Sequence, residues 1–280
     1  MGNRINARQH FQRLIRQPES ELNLAQAALA IAQEDQDSDI LQESLRELQN
    51  IAERIRTEID RSSTTHDRVR VLNHYLFEQL GFHGNETDYY NPANSFLDQV
   101  LATKVGLPIT LSVVYMEVGL RLQLPISGVA LPGHFIVRYH SPEGDIYIDP
   151  FHRGRLWSYA ECEAHIIAAY GDIAPETISA IMEPLPKNTI LERMLRNLKH
   201  TYITSNNFER ALAAVERILL IDPHNFQELR DRGILRARLH LYHLALMDLE
   251  HYAEHVYNAP DLPTLRLQAR AIAEHIIALN

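Results

Sequence analysis

Residues 131–151 read LPGHFIVRYHSPEGDIYIDPF, and this stretch decides the fold. Residues 135–139 and 146–148 are short runs of apolar and β-forming side chains. The Ser141-Pro142-Glu143-Gly144 segment between them carries turn chemistry. A hairpin centred between Ser141 and Pro142 sets His134 opposite Asp149, Phe135 opposite Ile148, Val137 opposite Ile146 and Arg138 opposite Asp145. Because strand side chains alternate between faces, Phe135, Val137, Ile146 and Ile148 then form one apolar face. His134 and Asp149 share the other. A carboxylate beside an imidazole across a strand pair can fix the tautomer and orientation of the ring, as in hydrolytic triads. The same spacing also suits a purely structural ion pair.

Outward from the hairpin, residues 129–131 form a further short strand. On the upstream side, Ser95 and Asp98 resemble a capping box opening a helix through Leu101. Gly106 is expected to end that helix, and Pro108 suits the first turn of the next, residues 109–122. Gly81, Gly84, Asn85, Tyr89, Tyr90, Asn91 and Pro92 mark a structured loop, since aromatic side chains anchor a loop to the body. Before it, Leu41, Leu45, Leu48, Ala52, Ile55 and Ile59 recur at helical spacing, with Glu43, Arg46, Glu47, Glu53 and Arg54 opposite. Ser62-Ser63-Thr64-Thr65 can cap a second helix carrying Val69, Leu72, Leu76 and Leu80, and Gly81 stops it. Downstream, residues 157–170 read as a helix. Pro175, Pro184 and Pro186 then place a boundary between domains 1–186 and 187–280, the first being helical over 1–80 with its core over 81–186. The expected fold class is α+β: an N-terminal helical bundle, a small antiparallel sheet with a helix packed on it, and a C-terminal helical module.

That module repeats. Phe208-Glu209-Arg210-Ala211-Leu212 aligns with Tyr242-His243-Leu244-Ala245-Leu246 at an offset of about 34 residues, the tetratricopeptide period. Pro223 closes one unit. Pro260 falls later than its equivalent place, so the second unit is irregular. Each helix pair can bury its apolar face only against a neighbour. Such a surface suits a peptide, or it serves simply as a helical lid.

Bulk properties narrow the function classes. The chain has 280 residues, 45% hydrophobic and 22% charged, the range of a folded protein. A net charge of -9 argues against a nucleic-acid partner. The single cysteine, Cys162, fits a reducing compartment. Met1-Gly2-Asn3-Arg4-Ile5-Asn6 holds no apolar run of signal-peptide type, and Asn6 stands where a myristoylation motif needs Ser or Thr. The most apolar stretch, 109–122, contains Ser112, Glu117 and Arg121 and is too short and polar to cross a bilayer. The expectation is a cytoplasmic protein with no membrane partner.

Gly106-Leu107-Pro108-Ile109-Thr110-Leu111-Ser112, Leu131-Pro132-Gly133-His134-Phe135 and Ile148-Asp149-Pro150-Phe151 together resemble the successive signatures of the transglutaminase-like superfamily. More narrowly, they resemble the bacterial SirB-type family, whose members commonly add tetratricopeptide repeats. Leu76-Phe77-Glu78-Gln79-Leu80-Gly81-Phe82 and Tyr89-Tyr90-Asn91-Pro92-Ala93-Asn94-Ser95 extend the likeness. In the wider superfamily a cysteine opens the helix after the Gly, and a His and an Asp follow on adjacent strands. The resemblance thus implies His134 and Asp149 as a vestigial catalytic pair, with Pro108 standing where the cysteine is expected. Proline offers neither a nucleophile nor an N–H.

Thr110 and Ser112 are the nearby hydroxyls, and either would need a well-aligned base. Cys162 lies after the Asp strand on an expected helix, where a small buried side chain is the simpler reading. His251-Tyr252-Ala253-Glu254-His255 fits the inverted zincin pattern H-x-x-E-H. It is a short match in a chain with 15 His. A catalytic zinc needs a third protein ligand, for which only Glu274 is near; His240 and His243 add nothing. No metal or other cofactor is expected. The reading is a non-catalytic regulatory or interaction protein holding a protein or peptide partner through the cleft or the repeat surface. The alternative is a hydrolase or acyl-transferase using Thr110 or Ser112 with His134 and Asp149.

Overall fold

The computed structural model describes residues 2–33, 40–62 and 64–278. Met1 and Ser63, which entered the N-terminal and capping expectations, lie outside the described residues. In chain order the elements are α1 (Gly2–Ile15), α2 (Leu24–Ala32), α3 (Ile40–Arg61), α4 (Thr65–Asn73), β1 (His83–Gly84), α5 (Leu97–Thr103), β2 (Val105–Gly106), α6 (Pro108–Arg121), β3 (Ile126–Leu131), β4 (His134–Tyr139), β5 (Ile146–Asp149), β6 (Arg155–Trp157), α7 (Tyr159–Tyr170), α8 (Pro175–Ile181), α9 (Lys187–Thr204), α10 (Phe208–Ile221), α11 (Phe226–Arg238), α12 (Tyr242–His255) and α13 (Leu262–Ala278). The class is α+β. The chain forms two compact units, residues 1–194 and 195–280, dividing within α9.

In the first unit, α3 buries Leu48, Ile51, Ala52, Ile55 and Ile59 and leaves Glu43, Arg46, Glu53 and Arg54 exposed, following its helical spacing. Thr64 caps α4 by accepting from the Asp67 N–H at 3.1 Å. The helix then widens into a π-helical segment, His74–Gln79, which turns both Leu76 and Phe77 inward before Gly81 stops it at φ 77°. α6 starts on Pro108 as expected. Its Glu117 is buried, and its carboxylate pairs with Arg121 at 2.6 Å and accepts the Ala25 N–H at 3.1 Å.

Four strands form one antiparallel sheet in the order β3-β4-β5-β6, and β1 and β2 form a separate parallel pair. One face of the larger sheet packs on α6: a Cβ at Gly128 would meet both Phe135 and the Met116 sulfur. The other face is covered as well. Val129, Leu131, Ile136 and Tyr147 form a cluster with Cys162 and Ile166 of α7, Ile178 of α8, and Met182.

Several local expectations need correction. The hairpin is centred one residue later, between Pro142 and Glu143. Val137 therefore pairs with Ile148, Arg138 with Tyr147 and Tyr139 with Ile146. The Gly144 N–H closes a four-residue turn on the Ser141 carbonyl at 3.0 Å. A one-residue change of centre moves the register by an even number, so every side chain keeps its face. His134 and Asp149 become diagonal neighbours instead of direct partners. The Ser95–Asp98 box does not form: Ser95 ends a 3-10 turn, and Phe96 precedes α5 without a side-chain cap. α5 ends on Lys104, which takes the left-handed conformation at φ 65°, and Gly106 lies in β2 instead. Residues 155–157, the last of them read as helix, form edge strand β6, and α7 begins after Ser158. Ser158 and Glu161 there make a reciprocal capping box.

In the second unit, the two aligned motifs each open a helix, α10 and α12, with Ala211 and Ala245 fully buried. α11 approaches α12 closely enough that a Cβ at Gly233 would sit 2.9 Å from Leu249. Asp248 is buried on α12 and is held by Arg232 and Arg236, each at 2.7 Å.

Candidate functional site

The site is built where β4 begins and β5 ends. Gly133, at φ 65°, turns the chain from β3 into β4 and delivers His134 as the first residue of β4. Asp149 is the last residue of β5 and fully buried. The His134 Nε2 and the Asp149 Oδ2 are 2.7 Å apart, a diagonal cross-strand pair. The other carboxylate oxygen is fixed by the turn that follows. Oδ1 accepts the backbone N–H of Phe151 at 3.0 Å and that of His152 at 3.2 Å. The Gly154 N–H closes the turn on the Asp149 carbonyl at 2.8 Å. Gly154 is required there. Its φ is 76°, and a Cβ would fall 2.5 Å from Asn73, whose amide donates to the Gly154 carbonyl at 2.8 Å.

A third group joins the pair. His152 Nδ1 also lies 2.7 Å from Asp149 Oδ2, and about half of the His152 side chain is exposed. The His134 ring is stacked with Trp157 at 6.0 Å between centroids and meets Phe151 edge-on at 6.2 Å. His165 of α7 lies against Trp157, and its Nε2 is 2.8 Å from the Pro132 carbonyl. Burial pushes the Asp149 carboxyl up. Hydrogen bonding and charge from His134, and then from His152, outweigh that and hold the carboxyl below its usual range.

His152, His165 and Trp157 escaped the sequence reading. His152 follows Asp149-Pro150-Phe151 directly, so a short Asp-x-x-His spacing within the turn was a usable signal. His165 and Trp157 are joined to the site only by the packing of α7 and β6. Beside His152 lies an open groove of about 440 Å³ lined by His83, Gly84, Asn85, Glu86, Thr87, Phe151 and Arg153. The groove-side loop is anchored as its composition implies. Asn94 donates to the carbonyls of Asp88 and Tyr89, Asn85 donates to Asn94, and Tyr89 packs edge-on against Phe151.

A family model described as the transglutaminase-like superfamily matches residues 42–196, more than half of the chain. The chain belongs to the transglutaminase-like superfamily. A tetratricopeptide-repeat model matches residues 198–270 of this transglutaminase-like protein. A UPF0162 protein of Xylella fastidiosa (strain Temecula1) is 37% identical over 74% of each chain. The UPF0162 protein YchA of Escherichia coli K12 is 28% identical over 84% of this chain and 87% of its own. Protein SirB1 of Salmonella typhimurium is 26% identical over the same shares, 84% and 87%. No solved structure matches. The SirB-type resemblance and the repeat module are thus both found.

Within the transglutaminase-like domain, the residues around the start of α6 are held by local structure. Thr110 is fully buried; its Oγ1 donates to the Asn94 carbonyl at 2.7 Å and accepts the Leu107 N–H at 3.0 Å, capping α6. Ser112 is also fully buried, and its hydroxyl lies 3.5 Å from the Phe135 carbonyl. Among the described residues neither hydroxyl bonds to His134. Cys162 is buried in the α7 cluster, and burial pushes its thiol up to about 12.

Two groups of candidate metal-ligating side chains occur among the described residues: His134, Asp149 and His152, and the surface set His251, Glu254 and His255. Glu274, the third ligand considered for the second set, is not part of that group. No described helix is long and apolar enough to cross a membrane.

Proposed function

We propose that this transglutaminase-like protein is a non-catalytic regulatory or interaction protein. Its His134–Asp149 pair shapes a recognition site, and its repeats offer a second surface for a protein or peptide. The observation that carries this reading is the commitment of Thr110 to capping α6. This fully buried hydroxyl already donates its proton to the Asn94 carbonyl and accepts from the Leu107 N–H, so it has no proton to share with an imidazole as it stands. Pro108 supplies no nucleophile, and Cys162 is held as a neutral buried thiol. The tetratricopeptide module supports a protein partner, and the net charge of -9 weighs against nucleic acid. The lone buried cysteine accords with the cytoplasm.

One observation favours the competing reading of a hydrolase or acyl-transferase. The His134–Asp149 pair is assembled at 2.7 Å, with the geometry that orients a general base. The two readings separate on labelling. Fluorophosphonate and iodoacetamide probes, read by intact-mass spectrometry, should leave the folded protein unmodified. Stoichiometric labelling removed by Thr110→Ala or Ser112→Ala would establish the catalytic reading instead.

A further inference from the structure

We propose that His134, Asp149 and His152 form a binding site for one divalent transition-metal ion, zinc being the best match. The site does not depend on the functional reading above. Three donor atoms converge: His134 Nε2 and His152 Nδ1 each lie 2.7 Å from the same oxygen, Asp149 Oδ2. All three lie within 4.8 Å of one another. Donors bound to zinc at about 2.0–2.2 Å stand roughly 3.3–3.6 Å apart in a tetrahedral site. The two imidazoles now sit at hydrogen-bond distance from Oδ2, so ligation replaces the shared N–H protons by the ion and spreads each N···O pair by somewhat under about 1 Å, within reach of side-chain rotation.

The surroundings favour ligation further. The Oδ1 atom of Asp149 is held by two backbone N–H groups, so Oδ2 cannot rotate away. Outer hydrogen bonds of this kind orient metal ligands and are part of a working site. Trp157 and Phe151 restrain the His134 ring. Two imidazoles and one carboxylate are the donors that suit Zn²⁺ or Fe²⁺ and leave positions open on the ion. His152 is half exposed and lines the groove, which gives the ion a route in and leaves room for a water or a carboxylate beside it.

The set on α12 lacks these features. His251, Glu254 and His255 are all exposed, and His255 Nδ1 is engaged with the His251 carbonyl at 2.9 Å. It nevertheless offers a surface chelate that would obscure a titration, so the test removes it.

The full chain carrying His255→Ala, untagged and stripped with chelator, is titrated with Co²⁺. Visible absorption reports ligation, and quenching of the sole tryptophan, Trp157, which stacks on His134, reports its place. Zn²⁺ competition then gives relative affinity. The expected result is one Co²⁺ per chain with matched absorption and quenching. Binding should weaken by about 100-fold or more on adding His152→Ala, the upper range seen for disturbing even an outer partner. Circular dichroism checks that this half-exposed substitution leaves the fold intact, and His134→Gln provides an independent ligand deletion. Absence of saturable 1:1 binding, or binding unchanged by both His152→Ala and His134→Gln, would overturn the site.

Discussion

Removing the Asp149 carboxylate tests how the candidate site is held. In Asp149→Ala, the backbone N–H groups of Phe151 and His152 and the His134 Nε2 lose their acceptor inside a fully buried position. A buried donor left without a partner costs about 1–3 kcal/mol, and the Ala substitution strands these three donors together. His152 is half exposed and recovers water, so its ring adds little. The expected loss is about 3–5 kcal/mol for Ala, and roughly 1–2 kcal/mol less for Asn, which keeps an acceptor for the turn. The pH dependence has a defined sign. Because the Asp149 carboxyl is held low in the folded state, its contribution is present above the unfolded carboxylate value, near 3.9. It is lost as pH falls through the depressed folded value. The stability gap between wild type and Asp149→Asn should therefore narrow below about pH 4. Urea unfolding followed by Trp157 fluorescence, with chelator present, measures this in the unit that holds the site. A loss below about 1 kcal/mol for Asp149→Ala, or a gap that widens below about pH 4, would refute this ionised, buried anchor.

Other perturbations probe the supporting structure. Gly154→Ala places a Cβ 2.5 Å from Asn73 at a positive φ. It should cost about 1–3 kcal/mol in the same urea assay. Thr110→Val removes the reciprocal cap of α6 and should lose about 1–2 kcal/mol, while Thr110→Ser should retain most of it, as thermal melts will show. Cys162 should not react with a disulfide reagent at pH 8 in the folded protein, and one thiol per chain should appear on denaturation.

The main elements were legible where one local signal and the tertiary packing agreed. The 3.6-residue spacing of Leu48, Ile55 and Ile59 announced α3, and Pro108 announced the start of α6. The Phe208 and Tyr242 motifs announced the repeat helices. The hairpin was legible in its faces but not its register, because Ser141-Pro142-Glu143-Gly144 allows two centres that preserve alternation. β1 and β2 are two-residue strands whose pairing is set by chain segments distant in sequence. β6 was obscured because Trp157 is equally at home opening a helix. The Ser158–Glu161 capping box was the cue that α7 starts later. At the site, His134 and Asp149 were legible as a pair on one face. His152 was signalled only by its Asp-x-x-His spacing, which gains meaning once the turn folds it back onto Asp149.

Turnover bears most directly on the central claim, that this transglutaminase-like domain keeps an oriented His134–Asp149 pair but no nucleophile. Purified full-length protein is assayed against activated acyl esters and glutamine-containing peptides, alongside His134→Ala, Thr110→Ser and Ser112→Ala. The predicted result is a rate equal to the buffer background and identical across all four proteins. A rate above background that disappears in His134→Ala would contradict the claim.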